Sequence, residues 1–592
     1  MDSNNKKIQL SIDILLAIFM ICILPVLMHL YLYQANLSAY DWFSNQDEQA
    51  SDFFLHIKMI AILVIGIIML FILCCTLLKN KSIIKLNKSH YFLFGYLFFS
   101  LLSAILSINK GFSFKGSYEQ FQPITVLLAY GIINIFMYLF LVDNQKLKIL
   151  FTGWSVSICL LSIIGFFQFI GIDPLNTSVF KRLTTPRQYW ETIDNMQLVT
   201  EQNRTYLTLF NPNYVGLFAS LALPIFIVLM CMEKQKKRKM LYGIVNIGLL
   251  VCTIGSRSKN TVFALILPLI FIILILRKMW IEHLKLSILG VVSTIILILL
   301  FNTIGGNIFS NSIKNSFYVE DPKIILQDIQ LTDTGVIFQF PNSKCQIDYS
   351  LSIDNNFSFS ILDENHNVLE TTYNEENNSL LITDPNYYNI SIMPIFLEEN
   401  YGFAVNFQGK QWIFSKDNTG KYLYYNDANK WTTFNKAESA DIFKERLFTG
   451  RGYVWNRTLP LLKQHIFIGS GSDTFVLEYP QEDYVSNYNQ GYENVIVTKP
   501  HNLYLQIGVE TGIISLLCFL IFYFIYFIQS IRLYWKCKFE HMLESYGFAI
   551  FVGTIGFMIS SLVNDSTVCV SPLFWGILGI GIGINRKLRN DM

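Results

Sequence analysis

Arg451-Gly452-Tyr453-Val454-Trp455-Asn456-Arg457, then Gly469-Ser470-Gly471-Ser472-Asp473, then His501-Asn502-Leu503-Tyr504-Leu505-Gln506: the chain is organised around this stretch, which spans Arg446 to Gly512. It runs into an apolar helix expected to begin near Ile507. Arginines, an imidazole and two glycine turns therefore stand just outside a hydrophobic wall. An imidazole titrates near neutrality, and guanidinium groups grip phosphate oxygens through paired hydrogen bonds. Together such groups can deprotonate an alcohol and hold a pyrophosphate at a membrane surface. The remainder of the chain reads as scaffold, gate or lid.

The hydrophobic wall extends in both directions. Of 592 residues, 52% are hydrophobic and 15% charged, with a mean hydropathy of +0.39. A water-soluble protein of this length is excluded, and a polytopic membrane protein is expected. The net charge of +2 is spread over short loops, so no nucleic-acid partner is expected. Cys22, Cys74, Cys75, Cys159, Cys231, Cys252 and Cys518 lie in apolar runs, with no CxxC pair or Cys/His cluster. Neither a metal site nor a disulfide framework is expected. The first apolar run, Ile14 to Tyr33, lacks a small-residue cleavage site and reads as a retained helix.

A helical span needs about 20 apolar residues, which gives about twelve candidates. They fall near 11–33, 57–78, 91–108, 123–142, 147–171, 213–232, 240–255, 260–276, 285–304, 503–530, 545–564 and 570–585. Lys6 and Lys7 precede the first. Lys79, Lys81, Lys85 and Lys88, then Lys146 and Lys148, Lys234 to Lys239, Arg277 and Lys278, Arg532, Lys536 and Lys538, and Arg586 to Arg589 follow the even-numbered ones. All fall on one side, so both termini are expected to be cytoplasmic and residues 305–502 extracytoplasmic.

From about 316 to 434 the pattern alternates with period two, as in Gly335–Phe340, Phe357–Leu362 and Tyr388–Ile392. Asp363-Glu364-Asn365, Asp384-Pro385-Asn386 and Asp417-Asn418-Thr419-Gly420 supply turns. A small antiparallel sandwich is expected there, followed by one or two helices over Ala440–Gln464. The expected fold is an all-α polytopic membrane protein with a β-sandwich-like domain inserted in its large outer loop. Its parts would be an N-terminal membrane domain (1–304), the β-rich insertion (305–440), a helical catalytic loop (441–502) and a C-terminal membrane domain (503–592).

Among candidate residues His501 is the sharpest, at the mouth of the tenth span, where an interfacial histidine is the plain alternative. Arg257 and Lys259 occupy a very short connection, Gly255-Ser256-Arg257-Ser258-Lys259-Asn260, at the bilayer edge. Charge there is costly unless solvated or paired, so it marks function or a headgroup anchor. Arg451 and Arg457 flank Trp455 and suit a phosphate, or simply form a solvated helix face. Arg204 lies in the long loop 173–213, and Asn211-Pro212-Asn213 is a helix cap or an anion-facing helix start. Asn502 follows the histidine. Glu510 could pair with an arginine or orient the His501 ring, and Tyr118 and Glu119 could border an acceptor groove. Gly469-Ser470-Gly471 lacks the strand–loop–helix setting of a nucleotide site and reads as a tight turn.

Taken together these pieces resemble the O-antigen ligase and O-antigen polymerase superfamily of bacterial membrane glycosyltransferases. The matching residues are Ile164-Gly165-Phe166-Phe167-Gln168, Leu209-Phe210-Asn211-Pro212-Asn213-Tyr214 and Thr253-Ile254-Gly255-Ser256-Arg257-Ser258. Arg451 with Trp455, Gly469-x-Gly471 with Phe475, and His501-Asn502-x-Tyr504-Leu505-Gln506 with Glu510-Thr511-Gly512 complete the ordered set. Ser258 departs from the glycine usual there, and the sandwich has no counterpart. The resemblance implies a glycan on undecaprenyl pyrophosphate as donor, a hydroxyl acceptor (lipid, wall polymer or protein) and transfer at the outer face of the cytoplasmic membrane. It maps the base onto His501 and the essential arginines onto Arg257 and Arg451, with no cofactor. Ligation, polymerisation of repeat units and transfer to protein hydroxyls share this machinery. From other classes, a twelve-span transporter or a wall-polymer receptor remains in contention.

Overall fold

The computed structural model describes residues 11–79, 85–193, 196, 198, 203–307, 310–311, 325–352, 357–387 and 390–591. Lys6, Lys7, Lys81, residues 316–324 of the expected sheet domain and Tyr388–Asn389 of an expected strand lie outside the described residues.

The described chain is mostly helical. In order, its principal helices are α1 (Ile12–Ile18), α2 (His56–Lys79), α3 (Ser89–Ile105), α4 (Ile124–Phe140), α5 (Asn144–Phe169), α6 (Pro212–Met232) and α7 (Lys236–Ser256). There follow α8 (Lys259–Ile275), α9 (Leu284–Ile304), α10 (Leu447–Leu461), α11 (Leu503–Thr511), α12 (Ile513–Tyr534), α13 (Met542–Ser560) and α14 (Ser571–Asp591). Six of them, α2, α5, α6, α7, α12 and α13, are long and apolar enough to cross a membrane. Helices α3, α4 and α8 are apolar but have 17 residues each, about 26 Å against a bilayer core of about 30 Å. Among the described residues six helices thus meet both the length and the apolarity of a span, where about twelve were expected. Two expected spans are interrupted for local reasons. Near Pro25 the first leaves α-geometry for a wider turn over Phe19–Ile23 and a tighter one over Leu24–Val26. The tenth breaks at Gly512, whose φ of 96° only glycine adopts readily, leaving α11 and α12.

Helix α6 packs on α13, and α4 on α14, at very close range. A Cβ on Gly556 would stand 2.1 Å from the Ser220 carbonyl oxygen, and one on Gly579 2.2 Å from that of Asn134. Small residues let the backbones approach where lipid offers no hydrophobic drive between helices. Trp575 stacks between Tyr96 and Phe522, with centroids 5.9 Å away on each side. Helix α10 alone occupies the expected helical stretch Ala440–Gln464. Before it the chain is irregular, with a turn at Glu445–Arg446, and its first turn carries three left-handed residues, Phe448, Thr449 and Gly450.

Two antiparallel meanders form the sheet domain. One orders β3 (Asp328–Thr332), β4 (Gly335–Gln339), β5 (Lys344–Leu351) and β6 (Phe357–Leu362). The other runs through β7 (Thr371–Asn374), β8 (Ser379–Ile382), β9 (Ser391–Leu397), β10 (Asn400–Phe407), β11 (Lys410–Lys416), β12 (Tyr422–Tyr425) and β13 (Trp431–Thr432). A further small pair joins β1 (Tyr31–Gln34) to β2 (Gln49–Asp52). Alternation places Phe403 opposite Phe414 and Val405 opposite Trp412. Phe338 of the first sheet meets Phe414 of the second edge-on at 5.8 Å. The turns form where Asp and Asn were expected to make them: Asp363 accepts from the backbone N–H of Asn365 and Asn367, and Asp417 from those of Thr419 and Lys421. The domain is seated on the loop between β1 and β2 by Lys430, which donates to the Ser38 and Tyr40 carbonyls, and by Asn426, which donates to that of Asp41.

One buried cation ties the membrane part together. The Lys58 ammonium, inside α2, donates to the carbonyls of Leu27 (2.7 Å), Phe54 (2.9 Å) and Thr208 (2.8 Å). Lys58→Met leaves these buried acceptors unpaired, at about 1–3 kcal/mol each. A fall of several degrees in the thermal unfolding midpoint in detergent is expected; an unchanged midpoint would show that the three bonds do not hold the segments together.

Candidate active site

The local sequence dictates where His501 points. Asn502 caps α11, its side-chain oxygen accepting from the N–H of Tyr504 (2.9 Å) and Leu505 (3.1 Å). Its amide donates to the Leu562 carbonyl at 2.8 Å, and the Leu503 N–H bonds the carbonyls of Ser561 and Asn564. The helix start is thereby fastened to the turn between α13 and α14. That turn presents Asp565, buried to 1% exposure of its side chain. One carboxylate oxygen meets His501 Nδ1 at 3.1 Å, and the other accepts the Asn502 N–H at 3.1 Å. With Nδ1 committed to the carboxylate, Nε2 is the ring nitrogen left to take a proton. His501 itself holds φ 51°, a left-handed conformation costing about 1–2 kcal/mol, and its side chain is 45% exposed.

Cations converge on the same carboxylate. Lys499 and Arg451 both act on Asp565 electrostatically. Burial alone would raise the Asp565 pKa, but His501, Lys499 and Arg451 together hold it below the ordinary carboxylate value. Lys499 is buried and donates to the Tyr214 hydroxyl at 3.1 Å. Burial would lower its pKa, yet Tyr214, Asp565 and Glu119 raise it above that of a free lysine, so it stays charged. Arg451 is buried on α10, with Nη1 on the Phe448 carbonyl at 3.3 Å and Nε without a hydrogen-bond partner among the described residues. Burial pulls its pKa down, with Asp565 and Tyr492 opposing. Lys259 feels the positive charges of Arg451 and Arg204. Arg451 and Lys499 thus share Asp565, and Arg451 also repels Lys259; positive charge in excess of the one carboxylate favours an anion.

The remaining candidates divide. Trp455 Nε1–H donates to the Pro500 carbonyl at 2.9 Å, bracing the residue before His501, and packs against Phe443 and Phe448. Arg204 donates to the Ser256 carbonyl at 3.1 Å. Arg257 sits in a left-handed turn, φ 57°, with Nη2 on the Asn203 carbonyl at 3.2 Å. It lines a cavity of about 290 Å³ with Phe169, Ile254, Asn302 and Gly305. Arg257 thus lines a cavity of its own, while Arg451 shares Asp565 with His501. Arg457 is committed elsewhere, to Asp483 (3.4 Å) and Glu445 (3.2 Å) and over the Tyr453 ring. Asn211 Oδ1 accepts the Asn213 N–H at 2.9 Å, so both serve as the cap of α6. Glu119 is placed by its charge interaction with Lys499, and burial raises its pKa. Tyr118 packs edge-on to Phe43 at 5.7 Å. Glu510 does not hold the His501 ring, as was considered from sequence; Asp565 does. The Glu510 carboxyl lies buried in the electrostatic field of Asp473, with Oε1 unpartnered among the described residues. Asp473 in turn accepts the N–H of Ser117 (3.2 Å) and Gln122 (2.6 Å), fixing the loop that carries Tyr118 and Glu119.

Sequence reasoning missed Asp565, Lys499 and Tyr214. The argument that singled out Arg257, a charge in a short connection between apolar helices, applies equally to Asp565 in Val563-Asn564-Asp565-Ser566. Nothing local marks Lys499 as buried.

These features define a membrane-embedded helical protein with a histidine–carboxylate pair inside a basic cluster at one end of its helices. Residues 404–520 match the family model described as O-antigen ligase, which supports membership of the O-antigen ligase superfamily and a glycosyltransferase-type activity. The match takes in His501, Arg451 and Lys499 and begins inside β10, so it includes part of the sheet domain read from sequence as an insertion. No curated protein and no solved structure matches the chain.

Because the folded pKa of Asp565 lies below its unfolded value, its contribution to stability is full above the ordinary carboxylate range and lost as pH falls through the folded pKa. Asp565→Asn should therefore lower the unfolding midpoint at neutral pH and flatten its decline below about pH 4. Identical pH profiles for the two proteins would contradict the pairing.

Proposed function

We propose that the protein transfers a glycan from a polyprenyl pyrophosphate to a hydroxyl acceptor at the outer face of the cytoplasmic membrane. The observation that carries this reading is the His501–Asp565 pair with Lys499 and Arg451 acting on the same carboxylate, and Lys259 beside Arg451. The acceptor oxygen attacks the anomeric carbon as His501 Nε2 removes its proton. The bond from that carbon to the pyrophosphate oxygen breaks, and the leaving group departs with the electron pair. Its charge is met by Arg451, Lys499 and Lys259, which are already in place and need little reorganisation. Asp565 keeps the Nδ1 proton in position and stabilises the imidazolium. Direct displacement inverts the anomeric configuration. Arg257 guards the side cavity through which a lipid-linked donor would approach. The basic loops would lie in the cytoplasm with both termini, and the sheet domain and His501 on the opposite side. The O-antigen ligase description of the matching family favours ligation; repeat-unit polymerisation and protein glycosylation use the same chemistry and differ in the acceptor.

The test is transfer by the purified protein in detergent, with a lipid-linked oligosaccharide as donor. His501→Ala is expected to slow turnover by about 10²–10⁴-fold, with Asp565→Asn in the same range and Arg451→Ala impaired as well. Wild-type rates in His501→Ala would remove the assignment of the base.

A further inference from the structure

A cleft of about 600 Å³ opens where β3 and the β11–β12 turn meet residues 433–436 and 482–485. That volume falls within the roughly 300–1,000 Å³ of small-molecule sites. Its walls carry both kinds of group that saccharides use. Gln330 and Asn435 are exposed, their amide nitrogens donating to Asp328 and Glu482 and holding those carboxylates on the wall, and Thr433 adds an exposed hydroxyl, while Phe434 and Tyr484, edge-on at 5.9 Å, supply apolar ring surface. The charge runs opposite to that around His501. Asp328, Asp333, Asp417 and Glu482 outnumber Lys421 and Lys436. A pyrophosphate or a polyanionic polymer is repelled there, whereas hydroxyl-rich neutral or amino-bearing sugars find acceptors for their O–H and N–H groups.

The cleft is also wired to the basic cluster. Asp483, in its wall, accepts from the Ala437 and Ser486 N–H groups at 3.3 Å each and pairs with Arg457. Arg457 lies on α10, the helix that carries Arg451.

We propose that this cleft is a saccharide subsite, holding an uncharged or amino-bearing stretch of glycan away from its reacting end. The assignment rests on the glycan-transfer reading. The cation cluster takes the charged end of the donor, and the cleft selects the sugar chain. The occupant belongs either to the donor glycan or to a glycan acceptor, which kinetics separates.

The experiment uses the full-length protein in detergent, with long-chain and single-sugar lipid-linked donors. Thr433→Trp fills the cleft, and the double variant Gln330→Ala, Asn435→Ala strips its hydrogen bonds; all three positions are exposed, so folding, followed by the unfolding midpoint, should survive. Loss of two such bonds is expected to raise KM about tenfold, with kcat within about twofold. A rise in KM for the long-chain donor alone assigns the cleft to the donor glycan, and a rise for the acceptor alone assigns it to the acceptor. Unchanged KM for both substrates in both variants, or an equal loss with the single-sugar donor, overturns the proposal. Absence of transfer by the wild type defeats the glycan-transfer reading instead, and the subsite falls with it.

Discussion

A buried carboxylate costs several kcal/mol unless it is paired, and in this protein the payment is arranged at Asp565. Its two oxygens accept from the His501 ring and from the Asn502 backbone, so the turn between the last two helices and the start of α11 lock each other. Asn502 and Leu503 reinforce the lock by bonding the backbone of 561–564. The histidine is thus oriented by residues far along the chain rather than by its immediate neighbours. Lys499 and Arg451 then find in Asp565 the counter-charge that lets them stay buried.

Several residues near the site, His501, Asp473, Glu119, Phe121, Phe448 and Thr449, have positive φ without being glycine, as do others in turns elsewhere in the chain, such as His366, Asn378 and Gln408. Such conformations persist where surrounding bonds over-determine them, and they concentrate at functional sites. Asp473 illustrates the means, since its carboxylate clamps two backbone N–H groups of the 116–122 loop. The Gln120 side chain then ties that loop to the Thr498 carbonyl beside Lys499. Three separate stretches are brought to one place in this way.

The sheet domain is continuous with this arrangement rather than appended to it. Val485, from the short helix after the cleft, is buried in the sheet's own core, with Tyr484 and Tyr488 packed against it. Asn489 bonds the Leu326 carbonyl at 2.8 Å. The family match crosses the same junction, from β10 to α12. The sheet domain and residues 484–489 are therefore joined through a shared core and a backbone hydrogen bond.

Periodicity and composition alone determined much of this protein. Apolar runs of about 20 residues placed the long helices, and period-two alternation broken by Asp and Asn placed the strands and turns, because both patterns express local backbone geometry. His501 and Arg451 were legible as candidates from residue type and setting. Left to the tertiary structure were the partners: that Asp565 and not Glu510 holds His501, that Lys499 is buried on Tyr214, and that Arg457 is consumed by Asp483 and Glu445 while Arg451 is not. A side chain's charge is written in the sequence, but its counter-charge comes from whichever distant segment folding brings within a few ångströms. That is a property of packing, which no local pattern records.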